Sequence, residues 1–314
     1  MSDAARRTLV SLALVGVAAV WGATFVMVKD AVSSYPVYSF LGVRFAIATV
    51  AFAVLFPSTF RRMDAGTLRD GLFAGVFLTA GYVFQTLGLA KTSPSKAAFI
   101  TGMFVVITPF MQAVFLRRMP RWPAWLGVAT AVGGLWLLSG GGSLGGWNLG
   151  DTLVLLCAVA YSGHIIVLGS LGRRHDARPF AFVQLAMAAI VCGAVGAITE
   201  HPGLPTGREV WIALAITGIV ASAVAFAVQT YAQRHLSPTR TALILITEPA
   251  FGGLFGWLLA GELLGVRGWA GAGLILVGMV VSEVLAAAVA RRDERTVLEP
   301  SLEGPPAQVL EASE

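Results

Sequence analysis

The chain has 314 residues, of which 56% are hydrophobic and only 12% charged, and its mean hydropathy of +0.77 is far too high for a water-facing surface on a protein this size. This composition describes a polytopic membrane protein and excludes most soluble enzyme classes, because the stretches between apolar runs are too short to hold a soluble domain. The net charge of +5 is no nucleic-acid signature, since the basic residues sort by membrane side.

A spanning helix needs roughly 20 apolar residues. Ten such segments are predicted, at 8–28, 35–56, 68–90, 95–116, 123–139, 149–171, 178–199, 208–233, 238–260 and 266–289. With the N-terminus in the cytoplasm, sixteen Lys and Arg fall inside, five fall outside, and Arg44 alone falls within a span. The positive-inside rule therefore puts both termini in the cytoplasm of a multi-pass protein of the cell membrane. The first apolar run, preceded by Arg6 and Arg7, lacks a small-residue cleavage site ahead of a soluble domain, so it reads as a retained span.

In chain order, the first span carries Trp21, Gly22 and Thr24 within VWGATFVMVKDAV, and the second carries Arg44. The third ends in GYVFQTLGLAKTSP, which includes Gln85. The fourth, SPSKAAFITGMFVVITP, holds Thr101, Thr108 and Pro109. The fifth is rich in small residues. Shifting the sequence by 144 then sets Gln85-Thr86 on Gln229-Thr230, Ser93-Pro94 on Ser237-Pro238 and Trp125 on Trp269. A shift of 140 sets Trp21 on Tyr161, Thr24 on His164 and Arg44 on Gln184.

The resulting organisation is a cytoplasmic tail (1–7), a five-helix repeat (8–140), a Gly-rich linker (141–148), a second five-helix repeat (149–289) and a disordered cytoplasmic tail (290–314). An odd number of spans per repeat inserts the second copy upside down, which is an arrangement suited to transport. The fold class is thus an all-α integral membrane protein of ten transmembrane helices in two inverted repeats. Pro109 aligns with Gly253 and Pro249 with Val105, so the two prolines predict helix kinks displaced by one turn and an asymmetric cavity.

With these features in hand, the chain resembles the drug/metabolite transporter superfamily, in its EamA family. The resemblance rests on WGATFVMVK, Arg44, the Ser-Pro connection with its cation, and above all ITEPAFGGLFGWLLAGELL, and it covers residues 8–289. It implies a substrate path ringed by the first, third, fourth, sixth, eighth and ninth helices, with the second outside that ring. It also implies export of small metabolites such as amino acids or related compounds.

Candidate residues follow from the cost of polarity in lipid. Arg44 lies about 13 Å into its span, where an unpaired cation costs at least about 2.5 kcal/mol. It either binds a substrate carboxylate or ties its helix to a neighbour. Glu248 is the one carboxylate near the middle of a span, so it is a candidate for substrate binding and proton coupling, or else a local hydrogen-bond acceptor beside Pro249. Its aligned position is Phe104, so its chemistry is present once. Gln85 and Gln229 either meet a polar substrate or join helix to helix. Trp21, Thr24, Thr101, Tyr161 and His164 complete the candidate substrate site.

Cys157 and Cys192 read as packing thiols, and the four histidines have no metal-ligand spacing. No catalytic residue, metal or cofactor is expected. The expected partners are the bilayer and a small molecule, with no nucleic acid, and the motifs are silent on oligomeric state. The alternative is an integral membrane enzyme or sensor acting on lipid-like substrates. That reading needs an acidic or nucleophilic cluster, whereas all seven aspartates lie in tails, loops or span ends.

Overall fold

The computed structural model describes residues 3–92, 97, 100–138, 148–201, 203–260 and 265–298, and among these there is no β-strand. In chain order the helices are α1 (Asp3–Ser34), α2 (Val37–Leu55), α3 (Ala65–Leu89), α4 (Phe104–Leu116), α5 (Trp122–Leu138), α6 (Leu149–Ser170), α7 (Ala177–Thr199), α8 (Arg208–Ala215), α9 (Ala225–Gln233), α10 (Pro238–Leu245), α11 (Glu248–Ala260) and α12 (Val266–Leu298). A π-helical stretch, Ile216–Val224, joins α8 to α9, so the two form one apolar helix.

Seven described helices are long and apolar enough to cross a membrane, where the sequence predicts ten. The other three predicted spans coincide with shorter pieces. The fourth is described as Ile100–Leu116, the fifth is the 17-residue α5, and the ninth is split into α10 and α11. The Ser93–Lys96 motif, the linker at 141–147, residues 261–264 and residues 299–314 lie outside the described residues. Helix extends into both predicted tails, since α1 begins at Asp3 and α12 runs to Leu298.

Local chemistry sets the helix starts. Asp64 caps α3 through the amide of Thr67, Asn148 and Asp151 form a reciprocal capping box on α6, and Ser237 with Pro238 opens α10. The start of α2 is capped from elsewhere in the chain. Glu200, just past α7, accepts from the amides of Tyr38 at 3.0 Å and Ser39 at 2.8 Å. At the opposite end of α7, His175 bonds Asp70 at 2.9 Å and Thr67 at 3.1 Å, and Arg62 pairs with Asp176 at 2.7 Å. Both ends of the bundle therefore have polar ties between sequence halves.

Helix packing also runs between halves. α5 packs on α12, α2 on α7, α3 on α6 and α7, α1 on α11 and α9, and α4 on α6 and α10. Two crossings are closed by glycine. A Cβ on Gly22 would lie 2.6 Å from the amide nitrogen of Gly252, and one on Gly42 would lie 2.7 Å from Cα of Gly193. Val54, Val114 and Ile190 point outward, each about 70% or more exposed, as lipid-facing side chains do. Two apolar cores fill the interior, one around Leu14, Leu135 and Ile244, the other around Phe40, Phe45 and Leu185. Trp21 packs against both.

Candidate functional site

Between the two cores lies a cavity. α1 lends it Trp21, Thr24, Phe25 and Val28, α2 lends Arg44, and α3 lends Leu78, Tyr82, Gln85, Thr86 and Leu89. Phe104 of α4, Tyr161, His164 and Ile165 of α6, Phe226 and Gln229 of α9, Leu245 of α10 and Glu248 of α11 complete the wall. Its volume of about 70 Å³ holds a few waters and falls below the roughly 300 Å³ at which small-molecule sites begin. A metabolite enters only if the helices move.

Four rings form the centre of the wall. Trp21 packs on Phe226 at 5.6 Å, Phe226 on Tyr82 at 6.1 Å, and Tyr82 on Tyr161 at 5.8 Å between centroids. Arg44 donates from Nε to Ser222 Oγ at 3.1 Å and from Nη2 to the Tyr82 hydroxyl at 3.4 Å, with its guanidinium 4.7 Å over the Tyr82 ring. The Trp21 indole donates to the carbonyl of Ala221 at 2.7 Å. Ser222 and Ala221 both belong to the π-helical stretch, where a wider turn leaves groups free for partners outside the helix.

The amides and the imidazole are tied across helices. Tyr161 donates to Gln85 Oε1 at 3.1 Å, and His164 Nε2 meets Gln184 Oε1 at 2.6 Å. Gln184 donates from Nε2 to the Phe180 carbonyl, so its oxygen accepts and the His164 proton sits on Nε2. Gln229 donates to Gln233, which donates to the Ile165 carbonyl.

The predicted ninth span is broken at Ile246 and Thr247, where α10 has ended at Leu245 and α11 has yet to start at Glu248 and Pro249. Pro249 therefore occupies the helix start, where its missing amide costs nothing. The matching break in the first half is at Met103, and Pro109 sits inside α4. Met103 and Thr247 are separated by the same shift of 144 that relates the halves. The interruptions are thus equivalent in position, in contrast to the one-turn displacement expected from the prolines.

Of the sequence-derived substrate-site candidates, Trp21, Thr24, Gln85, Tyr161, His164, Gln229 and Glu248 meet in this one cavity. Thr101 is not part of its lining; it is buried, and its hydroxyl has no hydrogen-bond partner among the described residues. Arg44 reaches the cavity although its helix was expected outside the ring, and its partners are hydroxyls and a ring. Sequence reading missed Tyr82 and Phe226. The shift of 144 that pairs the two glutamines also pairs these two, each three residues earlier. Both cysteines are buried and free, and no cluster of metal-ligating side chains occurs among the described residues.

Fold and cavity together define a multi-pass helical membrane protein built around an internal, aromatic-lined polar chamber. The sequence pattern of the EamA-like transporter family matches residues 8–140 and again 148–283. The chain belongs to that family and is a membrane transporter. It is 30% identical to an uncharacterized transporter of Archaeoglobus fulgidus, over 89% of this chain and 87% of that one. It is 29% identical to the S-adenosylmethionine/S-adenosylhomocysteine transporter of Chlamydia muridarum, over 77% and 81%. It is 24% identical to the uncharacterized inner membrane transporter YedA of Escherichia coli, over 83% and 86%. A solved crystal structure with 18% identity shares the fold at a TM-score of 0.73, over 91% of this chain and 99% of that one.

Proposed function

We propose that the protein is a secondary transporter that moves a small amphipathic metabolite, an amino acid or related compound, out of the cell through the central cavity. Transport proceeds by alternating access between two inverted five-helix repeats, making ten spans in all, with both termini in the cytoplasm. The cavity carries this reading, because it draws side chains from both halves in matched pairs. Exchanging the halves turns the Trp21–Phe226 contact, 5.6 Å, into the Tyr161–Tyr82 contact, 5.8 Å. It also turns the approach of Gly22 to the Glu248 carbonyl into that of Ser162 to the Phe104 carbonyl. At the level of whole helices, α1 on α11 becomes α6 on α4, while α2 on α7 and α5 on α12 map onto themselves.

Two half-structures of near-equal packing exchange roles at small energetic difference, as transport through an internal site requires. Glu248 is the candidate for proton coupling, since an isolated carboxylate in the membrane interior is held by a proton or by a cationic partner. The relative named for S-adenosylmethionine and S-adenosylhomocysteine makes these two compounds sensible additions to an amino-acid panel. The test is a resistance screen of an overexpressing strain, followed by flux of the hits in proteoliposomes. Substrate-dependent flux without chemical conversion supports transport. Conversion without flux refutes it and favours an enzyme.

A further inference from the structure

Among the described residues, Glu248 supplies the cavity's one carboxylate. Among the described residues that carboxylate accepts no hydrogen bond and meets no cation. Arg44 is turned to Ser222 and Tyr82, and the ion pairs among the described residues lie at the bundle end that holds Asp70 and Asp176. Around the same cavity stand Tyr82 of α3, Tyr161 of α6 and the Arg44 guanidinium of α2.

A second acceptor stands open in the same chamber. Gln229 is only 2% exposed, and its Oε1 has no donor. Its own Nε2 is spent on Gln233 at 3.1 Å. An anion brought to this end meets the carboxylate and the open amide oxygen, and a neutral solute leaves the carboxylate to a proton. A cation satisfies the carboxylate and gains from the ring faces beside it.

Resting on the reading of this cavity as the transport site, we propose that the transported solute carries a positive charge, as an ammonium group on a flat apolar body. That charge is held by Glu248 beside the ring of Tyr161, since the Arg44 guanidinium already covers the Tyr82 ring, and Gln229 Oε1 takes one of its N–H donors. The flat body lies along Trp21 and Phe226. A carboxylate on the solute is not required, because Arg44 already serves as a link between helices.

The test uses the purified full-length protein and matched pairs that differ in charge: phenylalaninamide with N-acetylphenylalaninamide, tryptamine with N-acetyltryptamine, and the anion N-acetylphenylalanine. Thermal unfolding reports binding. At least one cation raises the unfolding temperature of the wild type, while its acetylated mate and the anion do not. Glu248→Gln weakens that cation on the order of 30-fold, and Glu248→Asp restores part of the loss. If Glu248→Gln does not fold, Gln229→Leu gives the second reading, and cation affinity must fall there too.

The proposal is overturned if no cation stabilises the wild type, if neutral or anionic mates stabilise it equally, or if cation binding survives in both variants. Flux of the same solutes separates the two readings. Movement of neutral or anionic solutes without the cations keeps transport and removes the cation site. A full screen in which no solute moves removes transport itself.

Discussion

The guanidinium of Arg44 lies flat over the ring of Tyr82, 4.7 Å from its centroid, and reaches the hydroxyl of the same residue at 3.4 Å. With Nε on Ser222, one side chain links α2, α3 and the π-helical stretch at the edge of the cavity. Lysine reaches one of these partners and cannot stack. Arg44→Lys is therefore expected to lower the thermal unfolding midpoint and to cut the flux of every transported solute by a common factor of about ten, equivalent to ~1.4 kcal/mol. A loss confined to carboxylate-bearing solutes would instead make Arg44 a substrate ligand.

Gly22 sets where Glu248 stands. Its Cβ, if present, would lie 2.6 Å from the amide nitrogen of Gly252 and 2.7 Å from the Glu248 carbonyl, all backbone that cannot yield cheaply. Gly22→Ala is expected to cost about 1–3 kcal/mol of stability and to depress flux. Gly16, on the same helix, has nothing within 4 Å of the added atom, so Gly16→Ala leaves both quantities near wild type. Unfolding of the two variants in detergent, side by side, checks the contrast.

The prolines part company in the same way. Pro249 stands at the start of α11, immediately after the break, whereas the break at Met103 precedes Pro109 by more than a turn. Pro249→Ala gives the Leu245 carbonyl a possible amide partner and lets α10 run on toward α11. That variant is expected to lose most of its flux while staying folded, and Pro109→Ala to lose much less. Equal losses would mean that the proline in each copy governs its own break.

The bundle end with Asp70 and His175 carries ties between the halves. His175→Ala is expected to speed maleimide labelling of an Ile165→Cys reporter from that side about tenfold, one charge-assisted hydrogen bond's worth, in a background with Cys157 and Cys192 replaced by alanine. Acid acts at the same end. The amide and hydroxyl of Thr67 hold Asp64 below the usual carboxylate range. Burial alone would raise Asp176, but the Arg62 hydrogen bond and the Arg178 amide outweigh it and leave it lowered. A carboxyl lowered in the folded state stabilises it above the ordinary value of about 3.9 and loses that contribution as pH falls through the lowered one. The unfolding midpoint is expected to drop as pH falls below about 4, with a smaller step in Asp176→Asn.

The sequence made most of the cavity legible because polar and aromatic groups stand out against aliphatic spans, and the repeat doubled the signal. Trp21 with Tyr161 and Gln85 with Gln229 were readable as pairs. Tyr82 and Phe226 were equally readable from the same shift, which pairs them three residues before the two glutamines. Thr101, a candidate on the same grounds, is absent from the cavity lining, because one hydroxyl in a helix does not say which face it occupies. Arg44 enters the cavity from a helix outside the expected ring because its side chain is long and its partners belong to neighbouring helices. The helix breaks escaped because a proline reports a missing amide, while the site of the break depends on backbone contacts such as Gly22 with Gly252 that no local pattern records.

The most direct test of the account is counterflow in proteoliposomes loaded with an unlabelled solute identified by the screen. If the cavity alternates between the two membrane faces, labelled solute accumulates transiently against its gradient in wild-type vesicles. Gln85→Ala and Gln229→Ala each reduce the overshoot. Equilibration at a rate indifferent to solute inside, or unchanged by both substitutions, would contradict a single alternating site in this cavity.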